Sequence, residues 1–220
     1  SQARIDRLLY LLVLSALIFA IVGIMQIWLK LDMPSLLPKN PNGIPSSLFQ
    51  QINNQATYQV TAIFMAIYLS MRPWLRSGHL INRIMLLISV LLAAYIVAVS
   101  GSRIGALTLI ISMLVVLPII WQNWRRHRLL LGVLAALAIG FSAGVLTGSD
   151  RLVDKTEALQ AGYSAEARLG MYSISLGLIA ESPIVGHGIG SFGPTWQYAK
   201  PDFYANHSDA KLPPQYVSHP

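Results

Sequence analysis

Residues 100–121 read SGSRIGALTLIISMLVVLPIIW, and the fold turns on this stretch. Ser100, Gly101 and Ser102 make a small-residue turn, Arg103 follows, and no charged residue occurs from Ile104 to Trp121. At about 1.5 Å per residue such a run crosses the roughly 30 Å of hydrocarbon in a bilayer. An arginine is costly inside hydrocarbon and stable where the bilayer meets water. Arg103 is therefore expected at the mouth of a membrane bundle, at the head of one crossing and just past the end of another.

Uncharged runs recur on both sides of it, and the crossings are placed at about 8–29, 54–71, 84–99, 104–121 and 129–146. The pattern predicts an all-α membrane protein. Residues 1–146 form a polytopic transmembrane helix bundle with a connector over 30–55, and residues 147–220 form an outer-face segment of amphipathic helices and loops. Composition agrees: 54% of residues are hydrophobic and 11% charged, against about 25% charged in soluble domains. The net charge of +7 would suggest nucleic acid in a soluble protein; here its distribution is a topology signal, and no nucleic-acid partner is expected. With no cysteine, a disulfide framework, a cysteine metal site and a thiol nucleophile are excluded. The chain runs from Ser1 to Pro220 without an initiator methionine and reads as an internal piece of a longer protein.

Charge orients the bundle. If the crossings alternate, Arg4 and Arg7, then Arg72, Arg76 and Arg83, then Arg125, Arg126 and Arg128 fall on one side. Every acidic residue except Asp6 falls on the other. Basic loops stay in the cytoplasm, so the 30–55 connector, Arg103 and 147–220 are expected outside. In a bacterial inner membrane that face is the periplasm, which has no nucleotide-sugar supply. Substrates there arrive already activated, commonly on a lipid carrier.

The outer segment is read as a short surface helix over 151–160, then a helix capped by Ser164 with Glu166 in its first turn. Leu169, Tyr172, Leu176 and Ile179 recur at helical spacing, with Arg168 beside them, and Glu181-Ser182-Pro183 ends the helix. Gly186-His187-Gly188-Ile189-Gly190 is a tight turn. The tail, with Pro201, Pro213 and Pro214, is expected to be irregular.

Three motifs, taken in order, resemble the O-antigen ligase superfamily, which includes lipopolysaccharide O-antigen ligases, glycan polymerases and pilin-type protein O-oligosaccharyltransferases. Ser100-Gly101-Ser102-Arg103-Ile104-Gly105-Ala106 is similar to the family's Ser-Arg-Gly-Ala. Arg168 with Pro183, Gly186, Gly188, Gly190 and Phe192 resembles its R…P…G-x-G…F run. Val217-Ser218-His219-Pro220 resembles the start of its His-Pro-His-Asn or His-Asn motif. Phe49-Gln50-Gln51-Ile52-Asn53-Asn54-Gln55-Ala56 also resembles the Gln-x-x-Asn stretch of the protein-glycosylating branch.

The resemblance implies a membrane glycosyltransferase that moves a glycan from undecaprenyl pyrophosphate to an acceptor hydroxyl, on a pilin-type protein or on lipid A-core, without nucleotide, metal or other cofactor. It implies Arg103 and Arg168 as the pyrophosphate-binding residues and His219, or the residue after Pro220, as the base, so that this piece alone is expected to be inactive. Asn53 and Asn54 either cap the second crossing or touch glycan or lipid. Position alone also fits a snorkelling Arg103 and a solvated Arg168. The alternatives are a polymerase of the same superfamily, a lipid-linked glycan transporter, and a structural anchor. A transporter usually needs ionisable groups deep in its crossings, and 8–29 and 84–146 supply none there.

Overall fold

A computed structural model describes residues 2–30, 45–49, 51–123, 128–148 and 163–206. The protein is all-helical among these residues: α1 (Gln2–Trp28), α2 (Ile52–Ser70), α3 (Pro73–Arg76), α4 (Leu80–Val99), α5 (Arg103–Asn123), α6 (Arg128–Thr147), α7 (Tyr163–Glu181) and α8 (Phe192–Asn206). The chain divides into two compact units, Ser1–Leu152 and Val153–Pro220. It is a helical membrane protein: α1, α4, α6 and most of α5 are each long and apolar enough to cross a bilayer.

In the first unit the long helices run alternately up and down. α1 and α2 are antiparallel, because Gln2 Nε2 donates to the Tyr68 hydroxyl at 3.0 Å, Gln59 Nε2 to the Ala16 carbonyl at 3.1 Å, and Gln55 Nε2 to the Phe19 carbonyl at 3.2 Å. α2 is not among the helices apolar enough to span by composition. It nevertheless runs beside α1 for its whole length, ~28 Å for its helical rise. Its neighbours are α1, α4, α5 and α6, so Gln55 and Gln59, both fully buried, face protein rather than lipid. A polar side chain costs little there when it hydrogen-bonds across helices.

α4 and α6 are parallel and pack through small residues. Gly132, Ala136, Gly140, Gly144 and Gly148 recur every fourth position, which lines them up on one helical face. A Cβ on Gly140 would lie 2.1 Å from the Leu91 carbonyl oxygen, and one on Gly144 2.6 Å from the Tyr95 carbonyl oxygen. The ridge lets two backbones touch, as small-residue faces do in membrane helix pairs.

One end of this unit gathers basic side chains. Buried Asp6 pairs with Arg72 at 3.1 Å, and the Arg72 guanidinium also lies over the Tyr68 ring. Arg83 donates to the carbonyls of Leu75, Arg76 and Gly78, closing the short turn of α3. The opposite end holds the C-termini of α1, α4 and α6 and the N-termini of α2 and α5.

The second unit holds α7, α8 and the loop between them. α7 starts at Tyr163, so Ser164 lies inside the helix instead of capping it; helix ends shift by a residue or two in this way. The 151–160 helix falls outside the described residues. The expectation of an irregular tail is corrected over 192–206: α8 carries Pro201 in its interior. Proline removes one backbone hydrogen bond. Helical spacing is reinforced locally by Lys200, whose ammonium lies 5.8 Å from the centre of the Trp196 ring one turn earlier.

Candidate functional site

The site is built on the turn from α4 into α5. Ser100 ends α4, with its hydroxyl donating to the Val97 carbonyl at 2.8 Å. Gly101 then takes φ 59°, the left-handed conformation that terminates helices and that glycine adopts without a Cβ clash. Ser102 caps α5. Its Oγ accepts from the Gly105 N–H at 3.1 Å and its carbonyl accepts from the Ala106 N–H at 2.9 Å. The Ser102 N–H in turn donates to Ser100 Oγ at 3.1 Å.

A second helix holds the same turn. Ser102 Oγ donates to Asn53 Oδ1, in the first turn of α2, at 2.8 Å. Close packing reinforces the bond: a Cβ on Gly105 would meet the Ala56 Cβ at 2.6 Å. Ser100 and Ser102 are buried, whereas Arg103, the next residue, is exposed. Buried serines thus fix the backbone at Arg103, an exposed residue at the positive end of a helix dipole. Guanidinium groups stay charged and offer paired donors to phosphate oxygens.

The structure brings Arg103 and Asn53 to one turn, through Ser102. Asn53 serves as the hydrogen-bond acceptor for that serine, and Gln51 occupies the N-cap of α2 with no side-chain cap. Asn54, the next residue, is exposed. Arg168 lies in α7, in the second unit, ahead of the point where side chains of that helix are described. His219 falls outside the described residues. The sequence reading passed over Ser100 and Ser102 as supporting groups, although a serine directly before a long apolar run is a helix-cap signal.

Below the turn, an apolar groove of about 530 Å³ lies between α1, α2 and α5, with Val60, Phe64, Thr108, Ile111 and Val115 among its lining residues. In the second unit, a cavity of about 220 Å³ is lined by α7, α8 and the glycine loop, and includes Leu178, Ser182, His187, Ser191 and Thr195. His187 Nε2 sits 3.0 Å from the Leu178 carbonyl oxygen and 4.0 Å from the Glu181 carboxylate. Among the described residues no group of three His, Asp or Glu side chains is placed to hold a metal ion.

The model of the family described as O-antigen ligase matches residues 87–220. That span includes the Ser100–Arg103 turn, α7 and the glycine loop. No curated protein and no solved structure matches the chain.

Proposed function

The chain belongs to the O-antigen ligase family, and from that premise we propose that it transfers a glycan from undecaprenyl pyrophosphate to an acceptor hydroxyl, on a pilin-type protein or on lipid A-core, at the periplasmic face of a bacterial inner membrane. The carrying observation is the pinned turn that presents Arg103 at one end of the bundle. Its position opposite the end where Arg72 and Arg83 are held supports an outer location, since basic residues favour the cytoplasmic side.

The chemistry suits these groups. The glycosidic bond to the pyrophosphate breaks and negative charge grows on the leaving oxygens. Arg103 stabilises that charge from a fixed position, and a preorganised cation lowers the barrier because nothing need reorganise during reaction. Arg168 supplies a second cation from α7. The acceptor hydroxyl forms the new bond to the sugar and gives its proton to a histidine of the motif that His219 opens. The donor is already activated, so no nucleotide enters. The groove beside α5 offers the polyprenyl chain an apolar path away from the charged end.

The test uses the full-length protein and a lipid-linked glycan donor. Arg103→Ala and Arg168→Ala should each abolish transfer while membrane insertion stays normal. Normal transfer by either variant removes that arginine from the site, and normal transfer by both overturns the proposed reaction site.

A further inference from the structure

The loop between α7 and α8 turns its apolar side chains outward. Ile184, Val185 and Ile189 are each at least 89% exposed. The loop is nevertheless well tied. Gly186, Gly188 and Gly190 take φ of 65°, 98° and 78°, the Gly186 N–H donates to the Ser182 carbonyl at 3.1 Å, and Ser191 Oγ donates to the Gly188 carbonyl at 2.7 Å. Glycine takes these left-handed conformations without a Cβ clash. From Pro183 to Gly190 the one titratable side chain is His187. Its ring is directed back to the Leu178 carbonyl, so the tip presents the side chains of Ile184, Val185 and Ile189.

Apolar area held in water is unfavourable in proportion to its extent, and clustered exposure of this kind marks a contact surface. We infer that the loop tip contacts lipid, seating the second unit on the bilayer surface through Ile184, Val185 and Ile189. Two observations select lipid over a protein partner. The unit is tethered to a membrane helix: residues 148–162 join α6 to α7, a reach of at most about 50 Å at the extended-chain limit. α7 also exposes Leu169, Tyr172, Leu176 and Ile179, while Ile174 and Leu178 are buried. The outward stripe recurs at helical spacing, as in helices that lie in a membrane interface. The inference rests on membrane location and is independent of the glycan-transfer reading.

The experiment places single cysteines at Val185 and Ile189, and at Asp202 of α8 as a control, in a cysteine-free full-length protein. Each is labelled with nitrobenzoxadiazole and reconstituted in vesicles of phosphatidylethanolamine and phosphatidylglycerol. At 185 and 189 the emission should shift to the blue, fall when acyl-chain nitroxide lipid is added, and resist aqueous iodide; the label at 202 should behave oppositely. Adding Ile184→Asn and Val185→Asp to the Ile189→Cys protein should restore iodide access. Iodide quenching without lipid quenching at both tip positions overturns the inference. Shielding from both quenchers also overturns it, by assigning the tip to a protein neighbour.

Discussion

Replacing Asn53 or Ser102 tests whether the Arg103 turn is held from two helices. Ser102→Ala removes the cap on Gly105, a loss of about 1 kcal/mol, and also the 2.8 Å bond to Asn53. Asn53→Ala keeps the cap and removes the acceptor, leaving a buried hydroxyl proton unpaired, at about 1–3 kcal/mol. The pair should couple by about 0.5–1.5 kcal/mol, the net worth of one hydrogen bond. That is read from thermal unfolding of the two single variants and the double variant in detergent. The functional consequence is larger than the stability loss. A frayed first turn lets Arg103 leave its place, and small misplacements of a charged group cost about 100-fold in rate. Transfer should therefore fall in Asn53→Ala with most of the protein still folded, and Asn53→Asp, which keeps an acceptor, should recover part of it. Additive stability losses, with transfer unchanged in Asn53→Ala, would refute the two-helix support of the turn.

Four further outcomes follow from the same structure. Gly140→Ala should cost about 1–3 kcal/mol of stability, as overpacking does, because its Cβ would sit 2.1 Å from a backbone oxygen. Gly132→Ala, whose nearest neighbour is the end of the Leu87 side chain at 3.3 Å, should stay near wild type in the same melt. Arg72→Ala strands buried Asp6 and should lower stability by the lower part of about 3–5 kcal/mol, since Arg72 is itself partly exposed; restoration by Asp6→Asn in the double variant checks the cause. Ile111→Trp should fill the α1–α2–α5 groove and raise the donor concentration needed for half-maximal transfer with little change in the maximal rate.

The fold class was legible because bilayer thickness and charge cost act on every lipid-facing residue alike. The uncharged runs ending at 99 and 146, and the one beginning after Arg103, agree with α4, α6 and α5 to within a residue or two. The α4–α6 ridge was missed: glycine and alanine stand at every fourth position from Gly132 to Gly148, but a reading by hydropathy does not register them. The helix over 192–206 was hidden by Pro201, a single residue whose penalty its neighbours outweigh.

The site divides along the same line. Arg103 could be named as a candidate because a single cation between two apolar runs stands out against its surroundings. Its support could not, because Ser102 and Asn53 lie 49 positions apart and meet only when α2 packs beside α5. α2 is also the helix that lipid-based reasoning describes least well, since one of its faces packs on protein and its buried glutamines bond to α1 carbonyls. Those polar side chains fix the height of α2 against α1, and the height of α2 sets where Asn53 stands at the bundle end. A shift of one helical turn, about 5.4 Å, would carry Asn53 out of reach of Ser102. The interior polarity that makes α2 a poor membrane span by composition therefore sets the register on which the exposed arginine depends.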